Sequence, residues 1–401
     1  MKLSEQIRKL SDELEQHTIE VRRTIHRNPE LAFHEYKTSD LVCQELARMG
    51  IPYEKSPQEP GIVAVIDSGR PGKFLMLRAD MDALPIQEQT GLPFASSVPD
   101  VMHACGHDVH TANLLAVGEI LNRTKKDWNG KVKLVFQPAE ESGGGGREMI
   151  RAGLMNELPD ACFALHVEVG ERGVLKVGKR YISAYTDGYT LTVRGRAGHS
   201  SAPQEGADAV YIAAAIITAL HGIVSRNLSP MEHSTLNIGT IHGGYAPNII
   251  ADEVTLGAMM RNLSKEAREE MCRRIETISA GIAKSLGGSC ECRLREGYPS
   301  VYNDEAFSDF VAETLKKHAG EMYQDLGDGK PQDWLVTGEM PRLGGEDFGF
   351  FAQKAPSCMI RVLMGGEVPA HHPKFCIDER YIKLCTRAMA LTAAEFLTQD
   401  M

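Results

Sequence analysis

Three stretches of the chain place ionisable side chains at the end of a predicted β-strand or directly after it. They are Arg78-Ala79-Asp80-Met81-Asp82 after the strand Lys73–Leu77, Gln137-Pro138-Ala139-Glu140-Glu141 after Val132–Phe136, and Leu165-His166 in the strand that begins at Cys162. Because ligands of open α/β sheets bind beyond the carboxyl ends of the strands, we expect these groups to meet at one crevice. A fourth segment, residues 103–110, adds one thiol and three imidazoles. The sequence therefore predicts a site rich in metal-binding groups.

The mixture of donor types limits the metals that such a site would bind. A thiolate, imidazoles and carboxylates together suit zinc, manganese, cobalt or nickel rather than calcium or magnesium. Gly106 lets its neighbours Cys105 and His107 turn towards one point, whereas His103 and His110 are expected to be ordinary hydrogen-bonded side chains. Paired ions that share a water generate hydroxide near neutral pH, and of two adjacent glutamates one can bind metal while the other moves a proton. This combination predicts hydrolysis of a resistant bond such as an amide.

Length, charge and cysteine usage exclude several classes of protein. The chain has 401 residues, enough for two or three domains, and its net charge of −10 argues against general binding to nucleic acid or anionic membranes. The N-terminal stretch does not resemble a secretory signal, and the longest apolar run, Ala209–Leu220, is too short to span a bilayer. Nine cysteines at irregular positions favour free thiols. We therefore expect a cytoplasmic protein without nucleic-acid or membrane partners.

The order of predicted strands and helices indicates the fold class. Through residue 184, short buried strands alternate with helices, which implies an α/β domain whose sheet is covered on both faces. The order then becomes β-α-β-β-α-β, that of a ferredoxin-like α+β sandwich of about 110 residues. We therefore divide the chain into a catalytic domain formed by residues 1–184 and 298–401, with an inserted domain of residues 185–297. In the last strand of the insert, Cys290 and Cys292 are expected to face opposite ways and to be unable to share a metal.

Six short segments, in this order, give the chain a specific resemblance to a known family. They are Arg78-Ala79-Asp80-Met81-Asp82-Ala83-Leu84-Pro85, Met102-His103-Ala104-Cys105-Gly106-His107-Asp108, Gln137-Pro138-Ala139-Glu140-Glu141, Ala164-Leu165-His166, Gly198-His199-Ser200 and Gly344-Gly345-Glu346-Asp347-Phe348. The set resembles the two-metal amidohydrolases that include hippurate hydrolases, N-acyl-amino-acid amidohydrolases and indole-acetyl-amino-acid hydrolases. The resemblance implies a zinc-peptidase-like catalytic domain with a central mixed sheet, and an inserted lid and dimerisation domain. It also implies two divalent ions per subunit, drawn from Zn²⁺, Mn²⁺, Co²⁺ and Ni²⁺.

The same resemblance implies catalytic and metal-binding residues. The implied metal ligands are Cys105, His107, Glu141, His166 and His371. His371 is preferred over His372 because the family's ligand is the first residue of a His-x-Pro segment. Glu140 is implied as the general acid/base, and His199 as the group that donates to the tetrahedral oxyanion, often from the partner subunit.

Further residues are implied to bind substrate or to support the ligands. Asn248 and Arg261 resemble the groups that hold the carboxylate of the substrate, a task that suits the bidentate fork of arginine. We interpret Asp82 as a partner that orients a ligating imidazole, while Asp80 has no assigned role. Asp108 is either another such partner or the N-cap of the helix that follows.

The expected reaction is the metal-dependent hydrolysis of N-acyl or N-aroyl amino acids, which releases a carboxylic acid and an amino acid. The attacking group would be a metal-bridging water activated by Glu140, and the expected assembly is a homodimer formed through the inserted domain. Three alternatives stay open. They are a dipeptidase or carboxypeptidase with the same two-metal site, a thiol hydrolase with Cys105 as nucleophile and His107 as base, and a non-catalytic metal-stabilised protein.

Overall fold

The strands of the computed structural model form two larger sheets, one in each of the two units into which the chain divides. The structure describes residues 1–57, 59–338 and 341–399. One unit comprises Met1–Arg180, Val301–Met340 and Asp347–Met401, and the other comprises Tyr181–Ser300 and Pro341–Glu346.

The helices and strands are numbered in chain order. The helices are α1 Leu3–Arg27, α2 Tyr36–Arg48, α3 His107–Arg123, α4 Gly145–Arg151, α5 Ala209–Leu220, α6 Ile223–Arg226, α7 Lys265–Ser285, α8 Glu305–Lys317, α9 Ala319–Tyr323, α10 Gly349–Ala352 and α11 Ile382–Leu397. The strands are β1 Tyr53–Lys55, β2 Ile62–Asp67, β3 Phe74–Asp80, β4 Lys131–Gln137, β5 Ala161–Glu168, β6 Leu175–Val177, β7 Arg180–Tyr181, β8 Tyr185–Arg194, β9 Gly198–His199, β10 Ser234–Gly243, β11 Ile249–Ile250, β12 Glu253–Asn262, β13 Ser289–Tyr298, β14 Tyr302–Asn303, β15 Leu335–Thr337 and β16 Ser357–Leu363. In the described part of the chain, no helix combines the length and the apolar character needed to cross a bilayer.

The first unit is built on an eight-stranded mixed sheet. The strand order is β1-β2-β4-β3-β5-β16-β6-β15. The four central strands β4, β3, β5 and β16 run parallel, whereas β2 and β6 are antiparallel to their neighbours β4 and β16. Every residue of β3 is buried, as is typical of a parallel strand covered on both faces. A mixed sheet flanked by helices confirms the predicted class, and its parallel centre brings the carboxyl ends of β3, β4 and β5 to one edge.

Helix α3 carries two histidines into the interior of this unit. It begins at His107, directly after the left-handed Gly106, and residues 107–121 are all buried. The helix packs against α1 and α11 as well as the sheet. A helix enclosed on all sides is apolar on all sides, so its sequence has only a weak amphipathic pattern. The polar side chains that α3 does bury, such as His110, are therefore the exceptions that need a partner.

The second unit has the β-α-β-β-α-β order that the sequence predicts. Its antiparallel sheet has the strand order β10-β12-β8-β13, and α5 and α7 pack against it. Asp208 and Ser264 cap the first turns of α5 and α7, which explains where these helices begin. The segment 341–346 joins this unit through backbone hydrogen bonds from Ala184 N to Gly344 O and from Arg342 N to Ile182 O.

The two thiols of β13 correct one expectation. Cys290 and Cys292 lie on the same face of the strand, with their Sγ atoms 4.0 Å apart, and both are half-buried against the core of the second unit. The expectation that they face opposite ways is wrong, because side chains two residues apart in a strand share a face.

Candidate metal centre and active site

The site is assembled at the carboxyl ends of three neighbouring strands of the first unit. Strand β3 ends at Asp80 and β4 ends at Gln137, while His166 lies near the end of β5. The segment with Glu140 and Glu141 follows β4 within a few residues. Each ionisable group therefore sits where a buried strand reaches the edge of the sheet.

The loop that carries Cys105 depends on a glycine. Gly106 has φ 91°, and a Cβ atom at this position would overlap the side chain of Val167 on β5. Only glycine combines this backbone conformation with such a close approach. The backbone N–H of His371 donates to Ala104 O at 2.8 Å, which attaches the distant His371 to the same loop.

The five implied metal ligands form two groups that share one thiol. The first group is Cys105, His107 and His166, and the second is Cys105, Glu141 and His371; within each, the donor atoms lie within 4.8 Å of one another. The Sγ of Cys105 lies 3.5 Å from His166 Nε2, and His371 Nε2 lies 3.2 Å from Glu141 Oε1. The structure thus brings together all five residues from segments spread over more than 260 positions of the chain.

Hydrogen bonds set the imidazoles in the form that binds a metal. His107 Nδ1 donates to Asp82 O at 2.9 Å and lies 3.1 Å from Asp82 Oδ1, while His166 Nδ1 donates to Val167 O at 2.8 Å. Each ring therefore carries its proton on Nδ1 and presents the lone pair of Nε2. The Nε2 of His107 is buried and has no hydrogen-bond partner among the residues that the structure describes. This unpartnered lone pair, beside a thiol and a carboxylate, fits a borderline divalent cation.

Cys105 is poorly suited to act as a free nucleophile. Burial raises the pKa of its thiol well above the usual value, and the negative charge of Glu141 raises it further. A nucleophilic cysteine needs the opposite shift, which makes the thiolate available at neutral pH. The site therefore favours a thiolate formed only against a bound cation.

Asp80, which has no assigned role in the sequence analysis, belongs to a buried ion-pair network. Its Oδ1 accepts from His110 Nδ1 at 2.6 Å and its Oδ2 from Arg78 Nη1 at 2.7 Å. Burial alone would raise the pKa of Asp80, but its interactions with His107, Arg78 and His110 hold it well below its usual value. His110 Nε2 accepts from Val167 N at 2.9 Å, so both of its ring nitrogens are satisfied, as expected.

Two other polar residues differ from expectation. Both ring nitrogens of His103 are buried without a hydrogen-bond partner in the described ranges, and burial lowers its pKa to about 3. The prediction of an ordinary hydrogen-bonded side chain is wrong here, because residues distant in sequence, including His26 of α1, enclose the ring. Asp108 lies inside α3 and accepts from Arg22 Nε at 2.6 Å and from His26 Nδ1 at 2.8 Å, so it is neither the N-cap nor a partner of an implied ligand.

Two buried carboxyl groups support the site without having been assigned from the sequence. Asp347 accepts from Arg78 Nη2 at 2.7 Å and from Gly146 N at 2.9 Å, and its segment was noted only as part of the resemblance. Glu35 accepts from Ala139 N at 2.8 Å. No periodic pattern marks Glu35, because it lies in the turn directly before α2.

The remaining predicted residues lie in the second unit. His199 on β9 is exposed and pairs with Ile249 of β11, which brings it next to Asn248, whose backbone oxygen accepts from Ser200 N at 3.2 Å. Ser201 Oγ and Ser201 N both lie within hydrogen-bond distance of His199 Nδ1, which leaves Nε2 to carry the ring proton. Arg261, near the end of β12, donates from Nη1 to Leu343 O at 2.7 Å.

Comparison with known proteins identifies the family. Residues 76–395 match the family described as Peptidase family M20/M25/M40. The chain belongs to this family. Among its M20 relatives, thermostable carboxypeptidase 1 of Saccharolobus solfataricus is 37% identical over 406 residues, covering 99% of each chain. Hippurate hydrolase of Campylobacter jejuni is 34% identical over 379 residues, covering 94% of this chain and 96% of the relative.

A solved M20 structure matches nearly the whole chain. The YXEP protein of Bacillus subtilis, a dinuclear metal binding peptidase, superposes with a TM-score of 0.84 at 29% identity and covers 97% of this chain and 100% of that one. The resemblance predicted from the sequence is confirmed, and the protein is a hydrolase. Together with the donor groups around Cys105, the match shows a site suited to divalent metal ions.

The contacts of Asp82 generate a test of the metal centre. Asp82 touches both His107 and the backbone of Glu141, so Asp82→Asn should lower the affinity for divalent ions by about 10- to 100-fold, because residues that orient metal ligands have effects of this size. Competition with a chromophoric chelator measures the affinity. The control is Asp40→Asn, at an exposed position on α2, and its affinity for divalent ions should equal that of the parent. Equal affinities in Asp82→Asn and the parent would contradict this role of Asp82.

Proposed function

We propose that the protein hydrolyses the amide bond of N-acyl or N-aroyl amino acids and releases a carboxylic acid and an amino acid. The observation that carries this proposal is the group formed by His107, Glu140 and Glu141, whose donor atoms lie within 4.8 Å of one another. Glu141 and His107 also belong to the groups around Cys105, whereas Glu140 does not. Glu140 is a buried carboxylate beside the proposed metal ligands, which supports its role as the general base.

Cys105, His107, Glu141, His166 and His371 would hold two divalent ions, which we propose to be Zn²⁺, Mn²⁺, Co²⁺ or Ni²⁺. When bound, such ions polarise the amide carbonyl and make water acidic enough to react near neutral pH. The shared thiol of Cys105 favours these borderline ions over calcium and magnesium.

Glu140 would transfer the proton during the reaction. It accepts a proton from the attacking water as the new C–O bond forms, and it delivers that proton to the amide nitrogen as the C–N bond breaks. His199, whose Nε2 carries the ring proton, would donate a hydrogen bond to the developing oxyanion. Asn248 and Arg261 would bind the carboxylate of the amino acid, for which the guanidinium fork is suited.

The name of one relative supports a second candidate function, that of a carboxypeptidase. Thermostable carboxypeptidase 1 shares 37% identity with the chain. The C-terminal residue of a peptide, like an N-acyl amino acid, has a free carboxylate next to an acylated nitrogen, so the same groups would bind both. The two candidates differ in the acyl side of the substrate.

A matched substrate panel separates the candidates. The metal-free protein is reconstituted with each of the four ions and assayed on the N-acetyl and N-benzoyl forms of one amino acid, the free dipeptide ending in it, and its N-acetylated dipeptide. We expect the acyl amino acids to be cleaved fastest and the chelated protein to be inactive. Faster cleavage of either dipeptide would contradict the proposal and support a peptidase. Activity that survives chelation but not iodoacetamide would support thiol hydrolysis, and no cleavage in any arm would support a binding protein.

The role of Glu140 has its own test. Glu140→Gln removes the base but keeps the shape of the side chain, so kcat should fall by about 10²- to 10⁴-fold while the bound metal stays at two ions per chain. Initial rates and elemental analysis measure the two quantities. Glu171→Gln, at an exposed position, is the control and should leave both unchanged. A Glu140→Gln protein that retained most of its kcat would contradict the assignment.

We also propose that the protein is a cytoplasmic homodimer. All nine cysteines are free thiols, which favours a reducing compartment. The exposed apolar side chains of the second unit include Val210 and Tyr211 on α5 and Ile241 on the edge strand β10. Such residues on an edge strand and the neighbouring helix favour association with a second copy.

Sedimentation at micromolar concentration tests the homodimer. The parent should sediment with twice the mass of one chain, and Ile241→Lys, which places a charge on the exposed edge strand, should shift the protein towards monomer. Thr277→Lys, at an exposed position on α7, is the matched control and should remain dimeric. A parent that is monomeric throughout this range would contradict the proposal.

A further inference from the structure

The turn that carries Glu140 is in contact with a loop from the N-terminal part of the chain. This loop, residues 30–35, is anchored to the segment that follows β3 by the hydrogen bond from Ala83 N to Glu30 O at 2.8 Å. The ring of Phe33 lies directly against Gly143, where a Cβ atom would not fit. The loop ends at Glu35, which reaches the turn itself.

Glu35 is a buried carboxyl group, and its two oxygens have different surroundings. Its Oε1 accepts from Ala139 N at 2.8 Å, while its Oε2 is buried and has no partner within the described residues. Burial raises the pKa of Glu35 to about 8, and the negative charge of Asp82 contributes to the shift. Glu35 is not one of the residues proposed to bind metal or to transfer a proton.

The partner of Glu35 is a strained residue. Ala139 has φ 57°, a left-handed conformation that residues with a Cβ atom adopt rarely and only where the surroundings hold them. Its oxygen accepts from Gly145 N at 3.0 Å and its N–H is held by Glu35. This conformation sets the direction in which the chain continues into Glu140.

Two carboxyl groups therefore fix the backbone on either side of Glu140. Glu35 holds Ala139 N, and Asp82 Oδ2 holds Glu141 N at 2.9 Å. The roles of the two carboxyl groups differ, because Asp82 also touches the proposed ligand His107, whereas the Glu35 carboxyl is hydrogen-bonded to the backbone of Ala139.

We propose that Glu35 is a positioning residue that holds the strained Ala139 peptide and so keeps the Glu140 carboxylate in place for proton transfer. The proposal rests on the proposed role of Glu140 as the base. It predicts that Glu35 acts on the rate of the chemical step and leaves metal binding unchanged.

Three substitutions test this role. Glu35→Leu removes the acceptor, Glu35→Asp withdraws it by one methylene, and Glu35→Gln keeps an acceptor oxygen on a neutral group of the same shape. We expect kcat to fall about 10- to 100-fold in Glu35→Leu and Glu35→Asp, since a displacement near 1 Å in a reacting group has effects of that order. KM and the metal content should match the parent, and Glu35→Gln should restore kcat to within about threefold of the parent.

Hydrogen exchange makes the test independent of the substrate. In Glu35→Leu and Glu35→Asp, the peptide that covers residues 138–145 should exchange faster than in the parent, and in Glu35→Gln it should exchange as in the parent. Glu45→Leu, on α2 and bonded to His17 and Arg48, is the control and should leave this peptide and kcat unchanged. If Glu35→Leu does not fold, Glu35→Asp carries the comparison.

The outcomes separate the two proposals. Parent-like kcat and exchange in Glu35→Asp, loss of activity in Glu35→Gln equal to that in Glu35→Leu, or loss of metal in parallel with kcat would each overturn the role of Glu35. If no acyl amino acid or peptide is cleaved by the parent, the proposed function fails, and the exchange of residues 138–145 still decides whether Glu35 holds the turn.

Discussion

One carboxylate, that of Asp82, joins the separate parts of the candidate site. Its Oδ1 lies 3.1 Å from His107 Nδ1 at the start of α3, and its Oδ2 accepts from Glu141 N after β4. The first contact keeps the proton of the imidazole away from Nε2, the nitrogen proposed to bind metal, and the second fixes the backbone between the two glutamates. Asp82 can do both because the parallel strands β3 and β4 end side by side. The chemistry of the site thus depends on the register of a buried sheet.

Arg78 forms buried ion pairs with two carboxylates beside the site. Arg78 is almost fully buried, and it bonds to Asp80, Asp347 and Gln137 at 2.7–2.9 Å. Removing one partner of a buried ion pair costs about 3–5 kcal/mol, because the other charge is left without compensation. The network therefore ties the segment at Asp347 to β3 and β4, although more than 200 residues separate them in sequence. We infer that its value lies in fixing one arrangement of strand ends rather than in adding net stability.

Much of the fold and of the site follows from local patterns. The buried strands are short apolar runs, the ionisable residues come directly after them, and the switch to β-α-β-β-α-β order is visible in the spacing of strands and helices. Features that depend on distant contacts were not predictable in this way. His103 is enclosed by α1, Asp108 pairs with Arg22 and His26, and Glu35 acts on a turn about 100 residues away, so no nearby residue signals their environment. The thiols of β13 are a different case, since their shared face follows from the two-residue repeat of any strand.

The residues with proposed roles are divided between the two units, and this affects how enzymes of this kind diverge. All five proposed metal ligands and Glu140 lie in the first unit. Asn248 and Arg261, which are proposed to bind the carboxylate of the substrate, lie in the second. Mutations in the insert that spare His199 are therefore expected to change which molecules are accepted while the metal-binding groups and Glu140 stay intact. We therefore expect differences in substrate preference within the family to lie in the sequence of the insert rather than in the segments around Cys105 and Glu140.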